Sequence, residues 1–429
     1  GAAEPTSRSG RDDRSAAEKP ERVSRLRGLK MGAAKGGGMT DATITDVQAT
    51  QVDGEFSWTF LRVYTDAGLA GTGECYWGPG VEDVVDFLGE WLEGEDPRDV
   101  DRLCRGMFER TQHLGSLAGA TVSAISGLDI ALYDLAGKVT DQPAHRLLGG
   151  KYRDEARVYV DCHAGVHQDE AKSGDAEADD YAPEAYADAA EAAVAEGYDA
   201  LKFDLDADRR YEGDDHNRHL DGQAIDYKRR VVETIDERVG YDANVAYDCH
   251  WSYDRDSAVR LANAIEPYDV WWLEDVVPPE NLHVQRELTR ATDTTICTGE
   301  NLYRSHGVRQ LIDEQAVDVL QPDMPKFGGM RETVKVAGMA DDYYIPVALH
   351  NVSSPLGTMA GAHVAAAIPN YLAIEYHGRN DPEWAEFTEE SVIEDGAIPV
   401  PDEPGLGVTL DLDAVESRMA DGETLIDPV

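Results

Sequence analysis

The strongest constraint on this chain lies between Asn244 and Glu300. Three short apolar runs there, NVAYD, VWWLE and TTICTGE, each end in a carboxylate, and those carboxylates (Asp248, Glu274, Glu300) follow one another at intervals of 26 residues. A strand, a loop and a covering helix in a repeated parallel βα unit occupy about that length. The spacing therefore predicts three acids at one rim of a barrel, because parallel strands all end at the same face. Unpaired, the three charges would repel one another and resist ionising. A hard divalent cation resolves the conflict, and carboxylate oxygens suit Mg²⁺, which keeps coordination positions for water or substrate. One such acid alone would read as a strand-end cap; three at one spacing read as a metal centre.

The chain has 429 residues, which leaves room for a second domain beside a barrel of about 250 residues. Residues 1–38 stand apart, basic and rich in Gly, Ala, Ser and Arg, and read as a disordered extension or as residues upstream of a start at Met31 or Met39. From Thr43 the pattern is strand-like through ITDVQATQVD, SWTFLRVYTDAG and LAGTGECYW, then helical through TVSAISGLDIALYDLAGKV. This predicts an α+β domain over 39–155. Strand and helix then alternate, with strands expected at Val158–Asp161, Ala200–Phe203, Val245–Asp248, Val270–Glu274, Thr295–Gly299, Val317–Gln321, Pro346–Leu349 and Tyr371–Ile374. The barrel is expected over 156–379, and a final segment, 380–429, to return to the first domain. The segments 162–182 and 204–224 read as long loops.

Lys and Arg number 39 against 84 Asp and Glu, a net charge of −45, and only 10 of the basic residues are Lys. Nucleic acid and anionic membranes need a basic face, so both are excluded as partners. An acidic, lysine-poor surface resembles that of proteins adapted to molar salt, where screening suppresses self-repulsion. The five cysteines show no CxxC spacing, as expected of reduced, buried thiols in a cytoplasmic protein. No apolar run is long enough to cross a bilayer.

Other strand ends add polar groups to the same rim. Lys202 and Asp204 are two apart in LKFD and share a strand face, as do Asp248 and His250 in DCH. Asp323 ends QPD with Lys326 just beyond, His350 ends PVALH, and Glu375 lies in LAIEYHG. With ISGLDIALYDLAGK, LLGG, WLED, TGEN, QPDMPKFGGM and HNVSSPLG in order over roughly 43–415, the chain resembles the enolase superfamily, in its mandelate racemase subgroup. The resemblance implies an α+β capping domain on a modified TIM barrel, (β/α)₇β, with Mg²⁺ held by Asp248, Glu274 and Glu300. It implies abstraction of the proton α to a carboxylate, with Asp323 and His350 as an orienting acid and base. Lys202 is expected to bind substrate and to stabilise developing charge. The His of D-x-H, here His250, protonates a departing 3-hydroxyl in acid-sugar dehydratases of this kind, and Glu375 is expected to hydrogen-bond the substrate.

One departure discriminates among family chemistries. Racemases and cycloisomerases of the superfamily carry Lys-x-Lys on this second strand, where the second Lys is a base, and here that position is Asp204. Racemisation needs a base on each face of the carbon, so the departure favours dehydration and leaves Asp204 as a substrate contact. The expected reaction takes an aldonate to its 2-keto-3-deoxy product, with D-xylonate or L-arabinonate as substrate. Gluconate or galactonate dehydration, a hydroxy-acid racemase and a non-catalytic binding barrel are the alternatives. A homo-oligomer, tetramer or octamer, is expected from the same resemblance.

The charge generates a prediction. Raising salt from ~0.1 M to ~2 M shortens the Debye length from ~10 Å to a few Å. The melting temperature and activity should both rise over that range, and a flat melting temperature by calorimetry would contradict salt adaptation.

Overall fold

The computed structural model describes residues 41–54, 56–164, 181–207, 216–381 and 383–429. The N-terminal stretch 1–38 and the greater parts of the two long loops, 165–180 and 208–215, lie outside those residues.

Strands β1 (Ile44–Asp53), β2 (Ser57–Thr65) and β3 (Ala70–Tyr76) form an antiparallel meander. The 21-residue helix Ala120–Thr140 crosses it and is buried around almost its whole circumference. Close approach explains glycine at Gly73, where a Cβ would stand 2.2 Å from the carbonyl oxygen of Gly127. Two acids of this helix tie the cap to the rest of the chain. Asp129 accepts from the amide of Met330 (2.7 Å), and Asp134 accepts from the amides of Thr72 (2.8 Å) and Leu406 (2.9 Å).

Eight parallel strands close a barrel: β4 (Glu155–Asp161), β5 (Ala200–Asp204), β6 (Asn244–Asp248), β7 (Leu273–Glu274), β8 (Ile296–Thr298), β9 (Val319–Leu320), β10 (Val347–Leu349) and β11 (Tyr371–Tyr376). Pairing of β11 with β4, Ile374 opposite Val158, completes the ring. A helix follows each strand except the last, giving (β/α)₇β. The strands at 273–274 and 319–320 are shorter than their apolar runs, which begin earlier, at Val270 and Val317. Beyond the barrel, β12 (Ala397–Pro399) pairs antiparallel with β4, and Ala420 donates to Gln51 of the cap (3.0 Å). The final segment thus joins both parts. No helix among the described residues is long and apolar enough to cross a membrane.

The barrel interior explains where the site lies. Tyr159, Ala200, Ala246, Trp272, Cys297, Val319, Ala348 and Ala373 form one buried cluster, one residue per strand region. Small residues offset the two large rings, which fills a narrow eight-stranded interior. Side chains alternate along a strand, so the residues two further on make the next layer. On seven strands that layer is Asp161, Lys202, Asp248, Glu274, Gln321, His350 and Glu375. The step from apolar packing to chemistry is one layer deep.

A buried histidine pins the barrel to the tail. His363, on helix Pro355–Ala367, accepts from the amide of His145 (3.2 Å) at Nδ1, and its Nε2–H donates to the Leu406 carbonyl (3.0 Å). Both partners fit the neutral ring, and burial pulls its pKa from 6.5 down to about 4. A depressed histidine contributes its stability above pH 6.5 and loses it as pH falls from 6.5 to 4. The linked free energy is about 3 kcal/mol at ~1.4 kcal/mol per pH unit. Urea melts should show that His363→Gln removes most of this pH dependence relative to the native chain, and equal slopes would refute it.

Candidate active site

The polar layer is organised around one buried ammonium. Lys202, 2% exposed, places Nζ 2.5 Å from Glu375 Oε1, 3.1 Å from Asp248 Oδ2, 3.3 Å from Glu274 Oε1 and 3.7 Å from Asp161 Oδ2. Burial alone would favour the neutral amine. Glu274, Glu375, Asp248 and Asp161 outweigh it and hold the pKa well above the ordinary lysine value.

Asp248, Glu274 and Glu300 each bring a carboxylate oxygen within 4.8 Å of the others, and all three are buried. Asp248 and Glu274 are register partners on β6 and β7. Glu300 is not the next partner; that is Cys297. Equal sequence spacing thus conceals unequal structure. At the interior position two beyond Cys297 stands Gly299 (φ 154°), where a Cβ would meet the Gln321 backbone at 2.8 Å. The chain turns there, and Glu300 reaches the cluster from beyond the strand end. Outer partners fix the acids: Trp272 Nε1 and Gln321 Nε2 both donate to Glu274 Oε2 (2.8 Å each). Burial and the Asp248 charge push Glu274 well above the ordinary carboxylate pKa. Three buried, mutually repelling carboxylates are a donor set that fits a hard dication.

His350 stands beside this cluster. Its Nδ1 lies 2.7 Å from Asp323 Oδ2, and its Nε2 lies 3.0 Å from Glu300 Oε2 and 3.7 Å from Glu375 Oε2. Asp323 is itself held as the cap of a short helix, accepting from the Lys326 amide (3.0 Å). Burial lowers the His350 pKa, but Glu300, Glu375 and Asp323 outweigh it and raise it well above the usual value. Glu375 also accepts from the Asn351 amide (3.0 Å).

His250 occupies the other side of Asp248. The chain turns through left-handed φ values at His250 (41°) and Trp251 (57°), and the His250 amide donates to Asp248 Oδ1 (2.9 Å). Its ring sits 3.5 Å from Asp248 Oδ2 and 2.9 Å from Asp206 Oδ1, and 42% of the side chain is exposed. Partial burial favours the neutral ring, yet Asp248 and Asp206 raise its pKa well above 6.5. Asp204 pairs in register with Asp248 and faces His163 Nδ1 at 3.6 Å. All the residues singled out in the sequence therefore converge on one end of the barrel.

Sequence reasoning passed over Asp161, His163, His377 and Asp206. A signal was present: Asp161-Cys162-His163 repeats Asp248-Cys249-His250, and Glu375-Tyr376-His377 has the same acid-x-His form. The structures repeat too, since His163 (φ 47°) also turns left-handed with its amide on Asp161 Oδ1 (2.7 Å). The cap reaches this mouth as well. Trp58 Nε1 donates to the Val352 carbonyl (2.8 Å), and the Phe56 ring packs edge-on to His377 with centroids 5.1 Å apart.

A barrel with an antiparallel cap and an acid cluster at its mouth defines a class, and the family comparisons name it. Residues 41–149 match the mandelate racemase/muconate lactonizing enzyme N-terminal domain, and residues 184–414 match the enolase C-terminal domain-like family. The chain belongs to this enolase-superfamily group. A D-xylonate dehydratase from Haloferax volcanii is 53% identical over 91% of this chain and 92% of that enzyme. A D-galactonate dehydratase from Ralstonia nicotianae is 29% identical over 87% of this chain and 94% of its own length. Among solved structures, a mandelate racemase/muconate lactonizing enzyme-like protein from Rubrobacter xylanophilus superposes with a TM-score of 0.84 at 37% identity, covering 90% of this chain and all of that one.

The site's electrostatics predict that Lys202→Met destabilises the fold. Breaking a buried pair on one side costs about 3–5 kcal/mol because the other charges stay buried. Added Mg²⁺ should restore part of the loss in thermal melts. An unchanged melting temperature without Mg²⁺ would show that the ammonium does not hold the acids together.

Proposed function

We propose that this chain is a Mg²⁺-dependent sugar-acid dehydratase that converts D-xylonate, or a pentonate of related stereochemistry such as L-arabinonate, to its 2-keto-3-deoxy acid. The observation that carries the reading is the disposition of the two histidines. His350, bonded to Asp323 at 2.7 Å, and His250, bonded to Asp206 at 2.9 Å, stand beside different members of one acid triad, Glu300 and Asp248. That arrangement provides a base and an acid for an elimination. The 53% identity to a D-xylonate dehydratase supports the substrate class.

Asp248, Glu274 and Glu300 would hold the ion. When bound, Mg²⁺ supplies Lewis-acid stabilisation of charge on the substrate carboxylate. His350 Nδ1 is committed to Asp323, so Nε2 would take the α-proton, with a cation held by Glu300 offsetting the negative charge that otherwise keeps the ring protonated. Lys202, held as an ammonium by its carboxylates, cannot be a base and instead stabilises the second negative charge that develops. Asp204 offers no base on the opposite face either, which supports elimination over racemisation. His250, held protonated by Asp248 and Asp206, gives its proton to the departing 3-hydroxyl, because hydroxide is a poor leaving group. Glu375 and Asp204 line the space where the rest of the acid would bind. The net charge of −45 supports a cytoplasmic, salt-adapted setting, and the family resemblance supports a tetramer or octamer, to be measured by light scattering.

The test separates the two proton transfers. Aldonates incubated with Mg²⁺ in molar KCl should yield 2-keto-3-deoxy products, with pentonates preferred over gluconate and galactonate. In D₂O, His350→Asn should stop both dehydration and α-proton exchange followed by NMR. His250→Asn should slow dehydration by ~10²–10⁴-fold, the usual scale of general acid help, while exchange continues. The reverse pattern would exchange the two roles.

A further inference from the structure

Beside the triad, on the far side of Lys202, lies a second group of ligand-type side chains that the proposed reaction does not use. Asp161 ends β4, His163 follows two residues later, and His377 follows β11, the strand that pairs with β4. One ligand atom from each lies within 4.8 Å of the other two, and all three residues are buried. His163 Nδ1 stands 3.2 Å from Asp161 Oδ1, and His377 Nε2 stands 3.6 Å from Asp161 Oδ2.

We propose that Asp161, His163 and His377 form a second cation site, of the two-histidine, one-carboxylate type that takes a divalent transition metal such as Co²⁺, Zn²⁺ or Ni²⁺. Three observations carry it. First, donors sharing an ion at ~2.1 Å stand ~3.0–3.4 Å apart in octahedral or tetrahedral geometry. The two imidazoles flank the two oxygens of one carboxylate, His163 at Oδ1 (3.2 Å) and His377 at Oδ2 (3.6 Å). One donor from each residue lies within 4.8 Å of the others, so side-chain shifts of about an ångström close the set on an ion. Second, His377 is 6% exposed, its Nδ1 has no partner among the described residues, and its Nε2 lies between Asp161 Oδ2 (3.6 Å) and Glu375 Oε1 (3.5 Å), at distances too long for good hydrogen bonds. A buried ring so poorly satisfied is costly unless something is bound. Third, Asp161 is a buried carboxylate whose nearest cation, Lys202 at 3.7 Å, lies closer to Glu375, Asp248 and Glu274.

The donor chemistry also separates the two sites. An all-carboxylate triad suits Mg²⁺, whereas imidazole nitrogens prefer later, softer divalent metals. Lys202 stands between them, 3.7 Å from Asp161 Oδ2 and 3.1 Å from Asp248 Oδ2, so its charge keeps the two ions from sharing ligands. Three protein ligands leave coordination positions open.

The inference does not depend on the dehydratase reading, and its test does not use turnover. Co²⁺ is titrated into the metal-stripped full-length chain in saturating Mg²⁺ and molar KCl, with bound metal counted and visible d–d absorption recorded. The native chain should take one Co²⁺, and anomalous scattering at the cobalt edge should give a peak bonded to Asp161, His163 and His377. His377→Ala and His163→Ala should each weaken Co²⁺ binding at least about ten-fold, since losing even an outer partner of a ligand costs that much. Glu274→Gln and His250→Asn should leave it intact, with far-UV circular dichroism confirming that each variant is folded. No Co²⁺ bound in saturating Mg²⁺, a peak on Asp248, Glu274 and Glu300, or native affinity in both histidine variants would overturn the proposal.

Discussion

The structure depends on how one buried ammonium tolerates, and is tolerated by, the carboxylates around it. Lys202 lies within 4 Å of Asp161, Asp248, Glu274 and Glu375. At such distances each opposite charge contributes on the order of 4 kcal/mol at the effective dielectric of a partly wet interior. Removing a lysine from water costs several kcal/mol, so no single partner would hold it charged. Four do. The acids need the ammonium in the same way, because Asp248 and Glu274 face each other in register with little water between them. Each half of this arrangement offsets the burial cost of the other.

The scaffold contributes position and not much else. A layer of Ala200, Ala246, Ala348 and Ala373, wedged by Tyr159 and Trp272, fills the barrel immediately beneath. Its two aromatic polar atoms point upward into the chemistry. Trp272 donates to Glu274, while the Tyr159 hydroxyl accepts from Gln321, whose amide also reaches Glu274. The layer is therefore both core and support, and a residue chosen to fill volume also aims a carboxylate. The cap completes the enclosure from the opposite side. Glu74 on β3 accepts from the Ser354 amide and hydroxyl and from the Gly357 amide at the start of helix Pro355–Ala367, which fixes the cap to the strand that carries His350.

Much of this was legible in the sequence because period-two alternation forces it. Given Asp248, Glu274 and Lys202 on short parallel strands, their convergence follows from register alone. Glu300 was found for a reason that turned out to be incomplete, since its strand ends at Thr298 and a left-handed glycine delivers the acid from the loop. The interval of 26 residues measures chain length and not ladder position. Asp161 and His377 were missed although each sits in an acid-x-His pattern like that of His250. Pattern alone cannot weight them, because barrel closure makes the first and last strands neighbours only in three dimensions. Asp206 was invisible for a related reason, as its partner His250 comes from the next strand through a turn of positive φ.

The same geometry explains why Lys-x-Asp and D-x-H belong together. A second lysine at position 204 would stand in register with Asp248 and close to His250 and His163. It would compete for the carboxylates that raise the His250 pKa and would repel the imidazolium that the proposed elimination uses. With Asp204 in that place the balance reverses. Negative charge gathers on the His250 side of Asp248, and proton donation is favoured there. On the other side, Asp323 holds the His350 ring by Nδ1 and leaves Nε2 facing Glu300 and Glu375. An enzyme that must take a proton from one carbon and give one to the oxygen on the next needs this asymmetry. In the proposed reaction, the acid at position 204 that withholds a second base from the opposite face also adds to the negative charge beside His250.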